Sequence, residues 1–149
     1  MTEIRPARAA DAPSLTRLLT QLGYLSELDA VTRRLTGILP SATQQVLVVA
    51  DGSRIDGYVG VERRSALHDD ERAEITGLVV DAAARRSGLG RALVAAAEQW
   101  ARQHGLRTIV VRSNVVRPES HLFYAGIGYV RTSTSHSYRK DSTTTTGRA

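Results

Sequence analysis

One segment in the middle of the chain combines glycine and arginine in a way suited to holding an anion. It reads Arg85-Arg86-Ser87-Gly88-Leu89-Gly90-Arg91, set between the apolar run Leu78-Val79-Val80 and a helical stripe of Leu93, Ala96, Ala97, Trp100 and Ala101. A buried strand that ends in a glycine loop and gives way to a helix aims unpaired backbone N–H groups, and the positive end of the helix dipole, at one point. Gly88 and Gly90 let that backbone approach phosphate oxygens with no Cβ in the way. Arg85, Arg86 and Arg91 would add charge-assisted contacts. The chemistry indicated is the grip of a phosphate or pyrophosphate. The same residues also suit a solvated turn capping an amphipathic helix, so the loop needs support from elsewhere.

Two other phosphate loops are excluded. A Walker loop requires Gly-Lys-Ser/Thr, which does not occur, and the dinucleotide fingerprint requires a third glycine where Leu93 stands. His68, His104, His121 and His136 share no metal-site spacing, so no metal is expected. His104 belongs at a helix C-terminus, where a cation is favourable for structural reasons.

The elements that must position the loop follow from hydrophobic period. Asp11 as N-cap, Pro13 in the first turn and Leu15, Leu18, Leu19 and Leu22 at helical spacing predict a first helix ending at Gly23. A second is predicted from Ser26, with Asp29 three residues on, through Val31, Leu35 and Ile38 to Pro40. Strands are predicted over residues 46–50 and 55–61 around an Asp51-Gly52 turn, with 65–72 as a polar loop. Residues 73–80 form the next strand, where Gly77 marks a bulge or a close backbone approach. After the long helix to His104 come a strand over 108–112, a short helix from Pro118 to near Gly126 and a return to strand from Tyr129. Residues 141–149 are polar and expected to be disordered. The expectation is one α/β domain over residues 1–140.

Composition bounds the function. The chain has 149 residues, enough for one domain with a substantial core, and 42% are hydrophobic. No apolar run reaches the ~20 residues of a membrane span, and the first residues lack a signal pattern. The absence of cysteine removes disulfides and a thiol nucleophile, and it fits a cytoplasmic protein. A net charge of +5, carried by arginine with Lys140 the sole lysine, favours an anionic partner.

The loop gains its support from a resemblance. Arg85-x-x-Gly88-x-Gly90 resembles the Gln/Arg-x-x-Gly-x-Gly/Ala signature of the GNAT superfamily of CoA-dependent N-acetyltransferases, and Ala73-Glu74-Ile75-Thr76-Gly77-Leu78-Val79-Val80 is similar to the strand before it. Downstream, Asn114, Arg117, Ser120-His121 and Phe123-Tyr124-x-x-x-Gly128-Tyr129 resemble the family's last conserved helix and strand, so the likeness covers about residues 3–140. It implies a mixed, mostly antiparallel central sheet flanked by about four helices.

The resemblance also implies roles. The pyrophosphate of acetyl-CoA would lie on the amides of Arg85, Arg86, Ser87, Gly88, Leu89, Gly90 and Arg91, and the pantetheine arm along the backbone of Leu78, Val79 and Val80 like an added strand. A backbone N–H there, for which Val80 is the candidate, would polarise the thioester carbonyl. Asn114 and Ser120 match polar positions near the arm, although each equally suits a turn or helix end. Tyr124 matches the tyrosine that protonates the departing thiolate, a sensible transfer from a phenol of pKa ~10 to a thiolate of ~8.5. Glu74 is the candidate general base, acting directly or through water on an ammonium that must lose a proton before it attacks. Glu62 and the Asp69-Asp70-Glu71 stretch offer competing carboxylates.

The activity implied is direct attack of an amine on acetyl-CoA in a ternary complex, with no acyl-cysteine and no Gly-x-Ser-x-Gly elbow. A CoA-binding sensor or interaction module would keep the glycine loop yet need neither Glu74 nor Tyr124. A nucleic-acid binder would account for the charge, but 5% aromatic content and scattered arginines give it no recognition motif. The acceptor pocket falls to the turn over residues 23–27 and to the C-terminal strands. The short C-terminal stretch leaves one wall open for a second subunit, hence a possible homodimer.

Overall fold

A computed structural model of the chain describes residues 2–85, 87–113 and 117–142. The chain divides into two units, Met1–Asn114 and Val115–Ala149. The first holds a five-stranded sheet, β1 (Thr2–Pro6), β2 (Gln44–Asp51), β3 (Arg54–Ala66), β4 (Asp69–Val80) and β5 (Ile109–Val111), together with α1 (Ala12–Leu22), α2 (Leu28–Ile38) and α3 (Leu89–Gln103). Strand order follows chain order; β1 to β4 are antiparallel neighbours and β5 joins β4 in parallel. The second unit holds α4 (Pro118–Gly126). This is the mixed, mostly antiparallel α/β sheet with four helices that the resemblance implied.

Period-2 side chains give the sheet two apolar faces. Leu15, Leu18, Val31 and Leu35 of α1 and α2 pack with Val48, Ala50, Ile55 and Val79 on one face, with Tyr58 against them. Gly57, next to Tyr58 and so turned to the opposite face, approaches Leu93 of α3. Leu18 and Leu93 are fully buried, each worth ~2 kcal/mol in apolar area removed from water.

Several boundaries differ from expectation. α2 starts at Leu28 rather than Ser26, and neither Ser26 nor Asp29 caps it. Asp11 precedes α1 but its carboxylate does not cap that helix, because Arg5 and the N–H of Arg8 take both oxygens at 2.8–3.0 Å. The polar stretch 65–72 is not a loop: β3 runs to Ala66 and β4 starts at Asp69, leaving Leu67 and His68 as the turn. Polarity misleads there because that end of the hairpin is solvated, and ion pairs of Arg63 with Glu71 (3.4 Å) and Arg72 with Asp69 (3.5 Å) replace apolar contacts. Conversely, residues from Tyr129 to Ser142 form no strand. Val130 and Tyr138 are almost fully exposed, so the stretch has little apolar surface to dock and no ladder partner among the described residues. Residues 143–149 lie outside the described residues.

Candidate active site

β4 carries the geometry that matters. β5 pairs with it only at Ala73, Glu74 and Ile75, and among the described residues no strand covers that edge from Thr76 to Val80. The Asp81 N–H donates to Asp56 O on the β3 side at 2.7 Å. Because backbone groups alternate along an antiparallel pair, Val79 then also bonds toward β3, while Leu78 and Val80 turn theirs to the open edge. Upstream the phase is opposite, since the Ala73 N–H donates to Thr108 O on the β5 side at 2.9 Å. One extra residue in β4, Thr76, shifts the register between Gly60 and Val61 and causes the change. The bulge expected near Gly77 therefore selects which amides reach the open edge.

Of the open-edge groups, the Val80 carbonyl accepts from Arg85 Nε at 3.3 Å. Val79 is buried, whereas the side chains of Leu78 and Val80 are half-buried. Asp81 then turns the chain: it caps a short turn at Ala82–Ala84 by accepting from the Ala83 N–H at 2.9 Å, and it pairs with Arg17, which also donates to Ile55 O at 3.0 Å. The Ala83 N–H and then the Arg17 guanidinium hold the Asp81 carboxyl below the usual range. Gln21 accepts from the Ala82 N–H at 2.9 Å. α1 thus braces the loop that precedes α3.

At the start of α3, Gly88 occupies the N-cap with φ 83°, a left-handed conformation that other residues adopt only with strain, and no side chain caps the helix. The first-turn N–H groups of a fifteen-residue helix are left without a side-chain cap among the described residues, an arrangement suited to an anion. Ser87 Oγ is taken up by the Ala84 carbonyl, so Ser87 offers its backbone. Leu89, Gly90 and Arg91 form the first turn, while Arg86 lies outside the described residues.

Glu74 is buried on β4, directly opposite Glu62 of β3 and therefore on the same sheet face. Its Oε1 lies 3.7 Å from Arg112 Nε and has no hydrogen-bond partner among the described residues. A buried carboxylate oxygen left open in this way is suited to accept a proton or a water. Glu62 is half-exposed beside Arg64 (3.7 Å), and Asp69 and Glu71 are committed to the ion pairs at the hairpin end. Burial and an open oxygen thus distinguish Glu74 from Glu62, Asp69 and Glu71.

A cavity of about 170 Å³ lies between the helices and the same sheet face, lined by Leu19, Val31, Arg34, Ile38, Tyr58 and Thr76 among others. Burial, with a smaller effect from neighbouring Tyr24, pushes the Tyr58 phenol up to about 12, so it stays neutral.

In the second unit, Tyr124 is half-buried on α4, edge-on to Phe123 (5.1 Å) and Tyr129 (5.8 Å). Burial raises its phenol above the ordinary tyrosine range, keeping it protonated as a proton donor must be. Ser120 sits in the first turn of α4, its N–H donating to Arg117 O at 3.1 Å. Asn114 lies outside the described residues. His104 is structural, with Nδ1 2.8 Å from Trp100 O and the two rings stacked. Among the described residues no cluster of potential ligands could hold a metal, and no helix is long and apolar enough to cross a membrane.

Sequence reasoning missed Asp81, Arg17, Thr76 and Arg112. Asp81 carried a usable signal, an Asp directly after a strand and before three alanines, which marks an Asx-type cap. The others depend on register and on contacts between distant segments.

Residues 14–129 match the family model described as the acetyltransferase (GNAT) family. The chain is 30% identical over 135 residues to an aminoglycoside N(6')-acetyltransferase type 1 of Stenotrophomonas maltophilia, covering 87% of this chain and 86% of that protein. It is 27% identical over 116 residues to the uncharacterized N-acetyltransferase YhdJ of Bacillus subtilis (strain 168), covering 78% and 79%. In fold it is similar to the aminoglycoside N-acetyltransferase AAC(6')-Iy solved in complex with CoA, with TM-score 0.84 and 19% identity over 94% of this chain and 95% of that one.

Proposed function

The chain belongs to the acetyltransferase (GNAT) family and is an acetyl-CoA-dependent acyltransferase; we propose that it acetylates a primary amine by direct attack within a ternary complex. The observation that carries this reading is the open edge of β4, where the backbone of Leu78 and Val80 leads into the uncapped N-terminus of α3. A pantetheine arm hydrogen-bonds as a strand does, and a pyrophosphate needs a concentration of N–H donors. The residues present fit both needs.

Bound there, acetyl-CoA supplies an acetyl group already activated as a thioester. The chain's own residues would supply the rest. Leu78, Val79 and Val80 align the arm, and Gly88, Leu89, Gly90, Arg91, Arg85 and Arg86 hold the pyrophosphate, with Asn114 and Ser120 as further polar contacts. Glu74 takes a proton from the acceptor ammonium, directly or through one water. The amine nitrogen then bonds to the acyl carbon as the C–S bond breaks, and Tyr124 gives its phenolic proton to the departing thiolate. The proton that the nitrogen must still shed to become an amide returns the tyrosinate to phenol, directly or through water. We assign carbonyl polarisation to the Leu78 N–H rather than that of Val80. Both face the open edge, and at ~3.3 Å per residue Leu78, about 13 Å along the strand from Glu74 against about 20 Å for Val80, is the nearer to the proposed base. Such a preset donor in a dry site is worth ~3 kcal/mol of barrier.

We read residues 1–140 as one cytoplasmic N-acetyltransferase domain, consistent with the lack of cysteine, and the chain as a homodimer in which the partner completes the acceptor wall. The test is thiol release from acetyl-CoA against a panel of amines, with thermal shift by CoA alone. Release that disappears in Tyr124→Phe supports the reading. A CoA shift with no release from any amine would replace it with a CoA sensor, and no shift would overturn it.

A further inference from the structure

The cavity under α1 and α2 has a chemistry that bears on the acceptor, given the acetyl-transfer reading on which this inference rests. Its walls are Leu15, Leu19, Val31, Leu35, Ile38 and Val46, with Tyr58, Gly60, Thr76 and Gly77 forming the sheet side. No aspartate or glutamate lines it, and the one charged group is Arg34. Arg34 is exposed on α2 and has no ion pair or hydrogen bond among the described residues.

We propose that this cavity receives the apolar body of the acceptor and that Arg34 at its rim binds the acceptor's carboxylate, so that the preferred substrate is an apolar amino acid. Size agrees: an apolar cavity of ~150 Å³ takes a benzene-sized group, and this one is about 170 Å³. Charge agrees as well. A guanidinium presents a planar fork that matches a carboxylate, whereas a polyamine or amino sugar would bring several ammonium groups to walls that offer no counter-charge. The amine end has a destination, because Glu74 and Glu62 lie on the same sheet face, in the row beyond Gly60 and Gly77. Tyr58, neutral and half-buried, and Thr76 supply hydroxyls that can orient the ligand without adding charge.

L-phenylalanine, its amide and spermidine are the probes, compared by kcat/KM for thiol release in the full chain. Phenylalanine should exceed both others by about tenfold, the worth of one charge-assisted pair. Arg34→Gln, a change at an exposed helix position that leaves the core untouched, should bring the acid-to-amide ratio to about one. Saturation-transfer NMR of phenylalanine with the CoA-bound protein provides a readout independent of turnover, and its signal should weaken in Arg34→Gln. An amide as good as the acid, a preference for spermidine, or a ratio unmoved by Arg34→Gln would overturn the proposal. Absence of thiol release with every amine would sink the acetyl-transfer reading alone, since phenylalanine binding and its Arg34 dependence would still be decided by NMR.

Discussion

Tyr58 and Gly77 face each other across neighbouring strands so closely that a Cβ on Gly77 would stand 2.9 Å from the Tyr58 hydroxyl. The contact forms part of the cavity floor and lies one residue from the Thr76 bulge that turns the Leu78 and Val80 amides outward. A second glycine is tighter still: a Cβ on Gly57 would lie 2.8 Å from the Val79 carbonyl oxygen, with Leu93 Cδ1 at 3.1 Å. Backbone cannot yield as a side-chain tip can. Gly57→Ala should therefore cost about 3 kcal/mol and Gly77→Ala about 1 kcal/mol, read from urea unfolding. Equal costs would show that the β3–β4 ladder adjusts freely.

The ion pair of Arg5 with Asp11 joins β1 to the start of α1 with side chains only 12% and 8% exposed. The Arg5 hydrogen bonds, aided by the N–H of Arg8, hold the Asp11 carboxyl below its usual range. Its contribution is therefore complete above the ordinary carboxylate pKa and is lost as pH falls through the lower native value. Asp11→Asn strands the Arg5 charge and should cost about 3 kcal/mol at pH 7. The gap between variant and parent in urea midpoint should narrow at pH 3.

Tyr124→Phe should lower turnover by about 100-fold or more while leaving acetyl-CoA affinity nearly unchanged. Because burial raises this phenol, the parent should show no alkaline loss of turnover attributable to Tyr124 through pH 9. Equal losses in turnover and affinity would make it a binding or folding residue. Stopped-flow turnover with separate CoA titration distinguishes these.

Glu74→Gln removes the proton acceptor without removing much volume. At neutral pH turnover should fall about 100-fold, and it should recover as pH rises and more of the acceptor is already a free amine. A flat deficit at every pH would assign Glu74 to structure, through its approach to Arg112, and would move the base elsewhere.

The glycine loop, the helix that follows it and the order of elements from α1 to α4 were legible in the sequence because each is a local matter, whereas β1 (Thr2–Pro6), a short and mostly exposed strand that depends on pairing with β2, was not expected. The stripe of Leu93, Ala97, Trp100 and Ala101 has helical period, and a glycine pair between strand and helix marks the turn into a helix start. The hairpin end at residues 65–72 was misread because its strands are held by ladder bonds and ion pairs, which leave no hydrophobic alternation. The strand expected from Tyr129 failed for the complementary reason: a strand depends on a partner edge, and sequence does not show whether one is available.

The amino-acid sequence by itself determined that a glycine- and arginine-rich loop follows an apolar strand, that Glu74 and Tyr124 stand at the positions matching a base and an acid, and that the chain has no cysteine thiol of its own. Tertiary structure alone decided which amides of β4 face outward, since one inserted residue at Thr76 reverses the alternation and only its register against β3 reveals it. Tertiary structure also decided that the Glu74 Oε1 is buried and open while Asp69 and Glu71 are spent in ion pairs. The division has one physical cause. Propensity and period are carried by neighbours in the chain, whereas register and burial depend on segments brought together only by folding.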